Sequence, residues 1–321
     1  MLNFQSFLLK CPFPVLDCEG IECGKLLGKG GNANVYRMDI NNEKFAAKVY
    51  LNDKIYEEFY DNLKHELDIA YQLKDSKYSV RVCKLGYVRG KKENKKNKIL
   101  ILMEYLTSHG DLYDHIQDVV DWTPSYKING ELLPKPKTNY IYYNKWDNIY
   151  WIYGMQEMQK IKITKDIIQS VEELHSLGVI HGDIKTNNMV LHYLPQTQKI
   201  KLVDFGMSYF TENDDLITID YKCGTLGYRA PEQDNNRMCC LSDIYSVGIT
   251  IIELWNGDIW IDGDDFKECR KEALKGLRNI EANNRTFGKL LRDCISLQSK
   301  RRPTAKRLLK RFNDIFNYDH R

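Results

Sequence analysis

Near residue 107 the chain changes the period at which its apolar residues recur. Before that point the pattern is that of strands. Residues 45–50 and 98–105 are short apolar runs, the second nearly continuous, as expected of a strand buried on both faces. One helix interrupts them: over 59–73 the residues Phe59, Leu63, Leu67, Ala70 and Tyr71 fall at three- and four-residue steps. Beyond residue 107 the helical period takes over. Ile167, Ile168, Val171 and Leu174 form one stripe, and Gly178 stands where the residue after a helix end should. Residues 242–255 are apolar nearly all round, which predicts a buried helix, and 304–316 read as a third. A small β-rich part therefore precedes a larger α-rich part, an α+β arrangement.

Two segments stand apart from this rhythm. Residues 1–20 carry two prolines and little periodicity, and read as an extension lying on the fold. Residues 118–160 hold Pro124, Pro134 and Pro136 among Trp122, Tyr126, Tyr140, Tyr142, Tyr143, Trp146, Tyr150, Trp151 and Tyr153. That density of aromatics reads as an insertion with its own packing surface; Trp and Tyr enrichment also fits a docking site for a partner protein.

Composition removes several classes of function. At 321 residues the chain is long enough for two lobes and a large core without metal or disulfide staples. Lys and Arg total 47 against 44 Asp and Glu, a net charge of +3, which gives no general attraction to nucleic acid or an anionic membrane. The basic stretches 91–98 and 300–311 read as solvated surface, so nucleic acid is not an expected partner. No apolar run approaches the ~20 residues of a membrane helix, and the opening residues lack the marks of a signal peptide. Nine scattered cysteines without a Cys-x-x-Cys pair read as reduced thiols, so a cytoplasmic or otherwise intracellular location is expected.

Three groups of residues point to phosphate chemistry. The first is Leu27-Gly-Lys-Gly-Gly-Asn-Ala-Asn-Val35, a turn after an expected strand. Gly28, Gly30 and Gly31 would let backbone N–H groups approach phosphate oxygens, although a plain turn also needs glycines. The second is Lys48, inside the strand 45–50. A lysine in a buried strand is costly unless it meets an anion or snorkels to water. Glu66 lies on the apolar side of the following helix, where a Lys48–Glu66 ion pair would satisfy both charges and aim the amine at a phosphate. The third is His181-Gly-Asp-Ile-Lys-Thr-Asn-Asn188 followed by Leu202-Val-Asp-Phe-Gly206. Asp183, Asn188 and Asp204 form an oxygen-rich set, separated by one strand hairpin, suited to Mg2+ and a phosphate chain.

In this order the motifs resemble those of eukaryotic-type protein kinases of the serine/threonine class, over nearly the whole chain. The resemblance implies a bilobal fold, with residues 21–106 as a β-rich lobe and hinge and 107–321 as a helical lobe carrying the 118–160 insertion between helices D and E. It implies an ATP-dependent enzyme that uses Mg2+ and transfers the γ-phosphoryl group to Ser/Thr hydroxyls of protein substrates. Residues 27–35 (Leu27, Gly28, Lys29, Gly30, Gly31, Asn32, Ala33, Asn34 and Val35) would form the loop over ATP, with Lys48 and Glu66 as the phosphate-aligning pair. Met103 falls at the gatekeeper position, Glu104 and Leu106 in the hinge that bonds adenine, and Asp111 at the ribose. Asp183 and Lys185 would be catalytic; Asn188 and Asp204 would hold the metal. Ala230-Pro-Glu232 resembles the motif that ends the activation segment. Asp243 resembles the aspartate propping the catalytic loop, and Arg302 is placed to pair with Glu232. Thr225 resembles the threonine that contacts the catalytic Asp and Lys in the serine/threonine class.

Two departures matter. Ala33 replaces the third glycine of the loop, and Gly182 stands where most kinases carry the arginine that pairs with an activation-loop phosphate. Residues 207–229 are therefore expected to fold without phosphorylation. Two other readings are weaker. Small-molecule kinases of the aminoglycoside or choline type share His-Gly-Asp, but Lys185 and Gly206 occupy places where those carry His and an acidic residue. A nucleotide-binding pseudokinase scaffold is disfavoured because every catalytic group named above is present.

Overall fold

The computed structural model describes residues 4–31, 33–50, 57–88, 98–108, 110–120, 127–128, 131–132, 140–144, 149–153, 157–194, 197–212, 216–219, 222–257 and 265–316. The amino-terminal region is one six-stranded sheet of β1 (Val15–Asp17), β2 (Leu26–Lys29), β3 (Ala33–Ile40), β4 (Glu43–Tyr50), β5 (Val82–Val88) and β6 (Lys98–Glu104), in the order β1-β5-β6-β4-β3-β2. Every neighbouring pair is antiparallel except β1 with β5. A helix α1 (Phe4–Leu9) precedes the sheet, and α2 (Glu57–Gln72) follows β4.

Strand alternation explains how this sheet divides its side chains. On β4, Phe45 and Ala47 pack on one face with Met38, Leu100 and Leu102. Lys48 and Tyr50 point to the other, where Leu63, Leu67 and Ala70 of α2 pack on Leu85, Ile99 and Ile101. β6 serves both faces at once, which is why its run is continuously apolar.

Residues 1–20 are expected to lie on the fold as an extension; of these, the described residues 4–20 supply a strand and two buried aromatics. β1 adds a strand to the sheet, and Phe7 and Phe13 are buried in the cluster that seats α2. The periodicity signal is absent because the anchors are single residues on either side of Pro12, not a stripe.

The carboxy-terminal region is helical. Its helices are α3 (Leu112–Val120), α4 (Glu157–Ser176), α5 (Cys240–Asn256), α6 (Phe266–Asn283), α7 (Arg285–Cys294) and α8 (Ala305–Phe316). Gly178, with φ of +71°, follows the end of α4. α5 runs through the centre: Ile244, Tyr245, Val247, Ile249, Ile251, Ile252 and Leu254 are all buried in the main core. Short hairpins complete the region: β7 (Lys127–Ile128) with β8 (Glu131–Leu132), β9 (Tyr140–Asn144) with β10 (Ile149–Tyr153), and β12 (Met189–Leu194) with β13 (Thr197–Leu202). β11 (Val179–Ile180) pairs with β14 (Tyr209–Phe210), and β15 (Ile217–Thr218) with β16 (Arg237–Met238). The aromatic side chains expected to form a packing or docking surface over 118–160 lie outside the described residues. Among the described residues no helix is long and apolar enough to cross a membrane.

Candidate active site

The strand lysine and the helix glutamate meet as their faces predicted. Lys48 Nζ donates to Glu66 Oε1 at 2.6 Å and to Asp204 Oδ1 at 2.8 Å. One cation thus joins the sheet, α2 and the segment after β13. Burial alone would pull the Lys48 ammonium down, but the charges of Glu66 and Asp204 more than offset it and hold it well above its ordinary range. Asp204 is affected in the opposite sense. Partial burial would raise its carboxyl; Lys48 outweighs that and holds it below the usual carboxylate range. Asp204 has φ of +63°, sparsely populated for any residue but glycine, a strain of about 1–3 kcal/mol.

Asp183 sits in the loop between β11 and β12. Its Oδ1 accepts from Thr225 N at 2.8 Å and Thr225 Oγ1 at 2.7 Å. Its Oδ2 accepts from Asn188 Nδ2 at 2.9 Å, and Lys185 Nζ lies 2.9 Å away. Four donors therefore fix one carboxylate, and Lys185 Nζ closes the ring by donating to Thr225 Oγ1 at 2.7 Å. Asn188 spends its amide nitrogen on Asp183, so its carbonyl oxygen is the end presented to a ligand. The hairpin β12–β13 brings Asp204 back beside this loop, where Val203 N donates to Asn188 O at 3.0 Å.

The loop is held from beneath by α5. His181 N and Gly182 N donate to Asp243 Oδ2 and Oδ1 at 2.8 and 2.9 Å, and His175 Nε2 lies 2.9 Å from the same carboxylate. The His181 ring packs on Phe205 at 5.1 Å, tying the loop to Asp204-Phe-Gly206. Arg302 donates to Glu232 through Nη1 and Nη2 at 2.6 and 2.9 Å.

At Gly182 the backbone itself excludes an arginine. Its φ is +80°, and a Cβ there would run into the Met207 carbonyl oxygen. The segment after Asp204 is held by other means. Cys223 and Ile219 are buried with Ile180, Met238 and Cys240, and Gln233 Nε2 donates to Gly182 O at 2.9 Å and Cys223 O at 3.4 Å. Burial pushes the Cys223 thiol up to about 12, so it is a packing group and not a nucleophile.

The remaining expected residues lie on the β2–β3 hairpin, at and just after the end of β6, and at the start of α3. β2 and β3 form the hairpin that carries Leu27, Gly28, Lys29, Gly30, Gly31, Ala33, Asn34 and Val35; Asn32 lies outside the described residues. A Cβ on Gly28 or Gly31 would meet nothing within 4 Å, so the loop has open space beside it. Ala33 packs inward at the start of β3, which accounts for a methyl group there. Glu104 is committed through its side chain: Oε1 accepts from Arg81 N at 2.9 Å and Lys201 Nζ at 3.0 Å. Its backbone N–H is engaged as well, donating to Arg81 O at 2.9 Å. Leu106 and Met103 pack against the main core. Asp111 caps α3 by accepting from Asp114 N at 2.9 Å, and it also accepts from Asn187 Nδ2 at 3.2 Å. Tyr50 and Gln233 escaped the reading of the sequence. Tyr50 could have been found, because it shares the strand face of Lys48 two residues away.

The chain matches the family model described as "Protein kinase domain" over residues 21–312, and it belongs to the protein kinase family. A protein of Acanthamoeba polyphaga mimivirus, named as a serine/threonine-protein kinase/receptor, is 26% identical over 295 residues, 90% of this chain. A protein of Dictyostelium discoideum, named as a serine/threonine-protein kinase, is 34% identical over 117 residues, 34% of this chain. The chain spans 15% and 22% of the lengths of these two relatives.

Proposed function

We propose that the chain transfers the γ-phosphoryl group of ATP to Ser or Thr hydroxyls of protein substrates. One observation supports this above the rest: Lys48 bonds both Glu66 and Asp204, while Asp183 is fixed by Thr225, Lys185 and Asn188 across the same cleft. Both halves of a phosphoryl-transfer site are thus assembled together. Lys48 would align the α- and β-phosphates, with Glu66 holding the amine in place. Asp183 would orient the acceptor hydroxyl and take its proton, displacing the Thr225 hydroxyl that occupies Oδ1. Lys185 would stand by the γ-phosphoryl oxygens and offset their charge.

The donor set fits Mg2+. Asp204 is 54% exposed into the cleft, Asn188 presents a carbonyl oxygen, and among the described residues no group of three or more His, Cys, Asp or Glu forms a closed cage. Two hard oxygens that leave room for phosphates and water are what this ion takes. Held by Asp204 and Asn188, Mg2+ would supply positive charge that offsets the charge of the phosphates. Glu104 and Leu106 would offer backbone groups to adenine. Asp111 would reach the ribose only by giving up its bond to Asn187. Thr225, seated between Asp183 and Lys185, supports a Ser/Thr acceptor. The test is transfer from labelled ATP to a degenerate Ser/Thr peptide library. Asp183→Asn should lower the rate by about 10²–10⁴-fold while nucleotide binding persists. Equal transfer by the variant would overturn the assignment.

A further inference from the structure

Glu66 has two carboxylate oxygens, and each has its own donor. Oε1 takes Lys48 Nζ, and Oε2 takes the Tyr50 hydroxyl at 2.8 Å. Tyr50 is the first member of a chain of four rings. It stands edge-on to Phe59 at 5.3 Å, Phe59 edge-on to Tyr60 at 5.9 Å, and Tyr60 lies 5.1 Å from Phe7 of α1. A second contact joins the same arm to the far end of α2, where Phe13 meets Tyr71 at 6.0 Å. The arm is also fastened to the sheet: Leu85 N donates to Pro14 O at 2.9 Å, and Cys18 N to Tyr87 O at 2.8 Å. α2 is thereby gripped at both ends by a segment that is itself hydrogen-bonded to β5.

We infer that Tyr50, Phe7 and Phe13 are positioning residues for the Lys48–Glu66 pair, and that the arm before the sheet sets the place of α2 in cis. The inference rests on the proposed role of that pair in aligning ATP. Lys48 and Tyr50 share one strand face, so together they hold Glu66 as a two-point seat for its carboxylate. That seat works only if α2 delivers Glu66 at the right height and rotation. Phe7 and Phe13 share the buried cluster of Leu63 and Leu67, which lie three residues before and one residue after Glu66. A displacement of about 1 Å at a reacting group costs on the order of 10²-fold in rate, so a helix held by the arm is worth holding.

The test uses the full chain and the variants Tyr50→Phe, Phe7→Ala and Phe13→Ala. Two readouts need no turnover. Amide hydrogen exchange, read by peptide, should rise about ten-fold or more over α2 in the two arm variants and stay unchanged in α5. Acylation of Lys48 by an amine-reactive ester, measured relative to Lys44, should quicken in all three variants. The third readout is kcat and KM for ATP and for peptide. Tyr50→Phe removes one hydroxyl bonded to a charged group, worth about ten-fold in kcat with peptide KM unchanged and exchange unaltered. Phe7→Leu should recover most of what Phe7→Ala loses, and it carries the same readouts where the alanine variant fails to fold. Exchange that is unchanged in α2, or that rises equally in α5, overturns the role of the arm. Wild-type Lys48 acylation and kcat in Tyr50→Phe overturn the role of Tyr50. A wild-type chain that transfers no phosphate would count against the proposed function, and the exchange and acylation results would still decide this one.

Discussion

Glu253 provides a pH-dependent signature that can be measured without substrate. It lies on α5, 4% exposed, and accepts from the Tyr228 hydroxyl at 2.6 Å. Burial pushes its carboxyl up from 4.5 to about 7, against the pull of hydrogen bonds from Tyr228 and Thr186 and with a small push from Asp111. Below pH 4.5 the folded and unfolded chains both hold the proton, and Glu253 makes no difference. Between 4.5 and about 7 the unfolded carboxyl ionises while the folded one stays neutral, so its contribution to stability falls as pH rises. Above about 7 the loss is complete, at about 3 kcal/mol. Glu253→Gln keeps an acceptor for Tyr228 and removes the charge. The stability of wild type relative to this variant should therefore drop by about 3 kcal/mol between pH 4.5 and 8. Urea unfolding of both proteins across that range reads the difference directly. A difference that is flat with pH would refute the reasoning and show that water reaches the carboxylate.

Three other perturbations follow from the site. Arg302→Ala leaves the partly buried Glu232 carboxylate without its guanidinium, which should cost about 3 kcal/mol in unfolding free energy. Arg302→Lys should recover only part of that, because a point charge cannot reproduce the two-pronged contact; a lysine variant as stable as wild type would contradict the geometry. Gly182→Ala forces a Cβ against the Met207 carbonyl at a positive φ, so limited proteolysis should quicken within 207–229 before it does elsewhere. Phosphatase treatment of the wild-type protein should leave activity intact, since Gln233 and the cluster around Cys223 hold the segment; a loss of activity would refute this.

What could be read from the sequence was what local rules constrain. Lys48 and Glu66 could be paired because a buried strand lysine must find an anion, and the apolar stripe of α2 shows which side Glu66 takes. Asp183, Asn188 and Asp204 were visible because a single hairpin returns the chain to its starting point. The contacts of Gln233 were not visible: it bonds Gly182 across 51 positions with no periodic pattern to announce it. Phe7 and Phe13 were missed because isolated aromatics in a proline-broken stretch look like surface until their partners on α2 are known. Glu104 shows a third kind of limit. Its place at the end of β6 was apparent, but the capture of its carboxylate by Lys201 comes from β13, almost a hundred residues away.

The position of Asp183 is referenced to the interior. Asp243, on the most enclosed helix of the molecule, receives the two N–H groups just ahead of it. The other described side chain on that carboxylate, His175, is itself largely buried. Extra length between α3 and α4 can therefore accumulate, and exchange one set of aromatics for another, without moving Asp183. The molecule can alter what it presents to its surroundings while the bonds around Asp183 stay where they are.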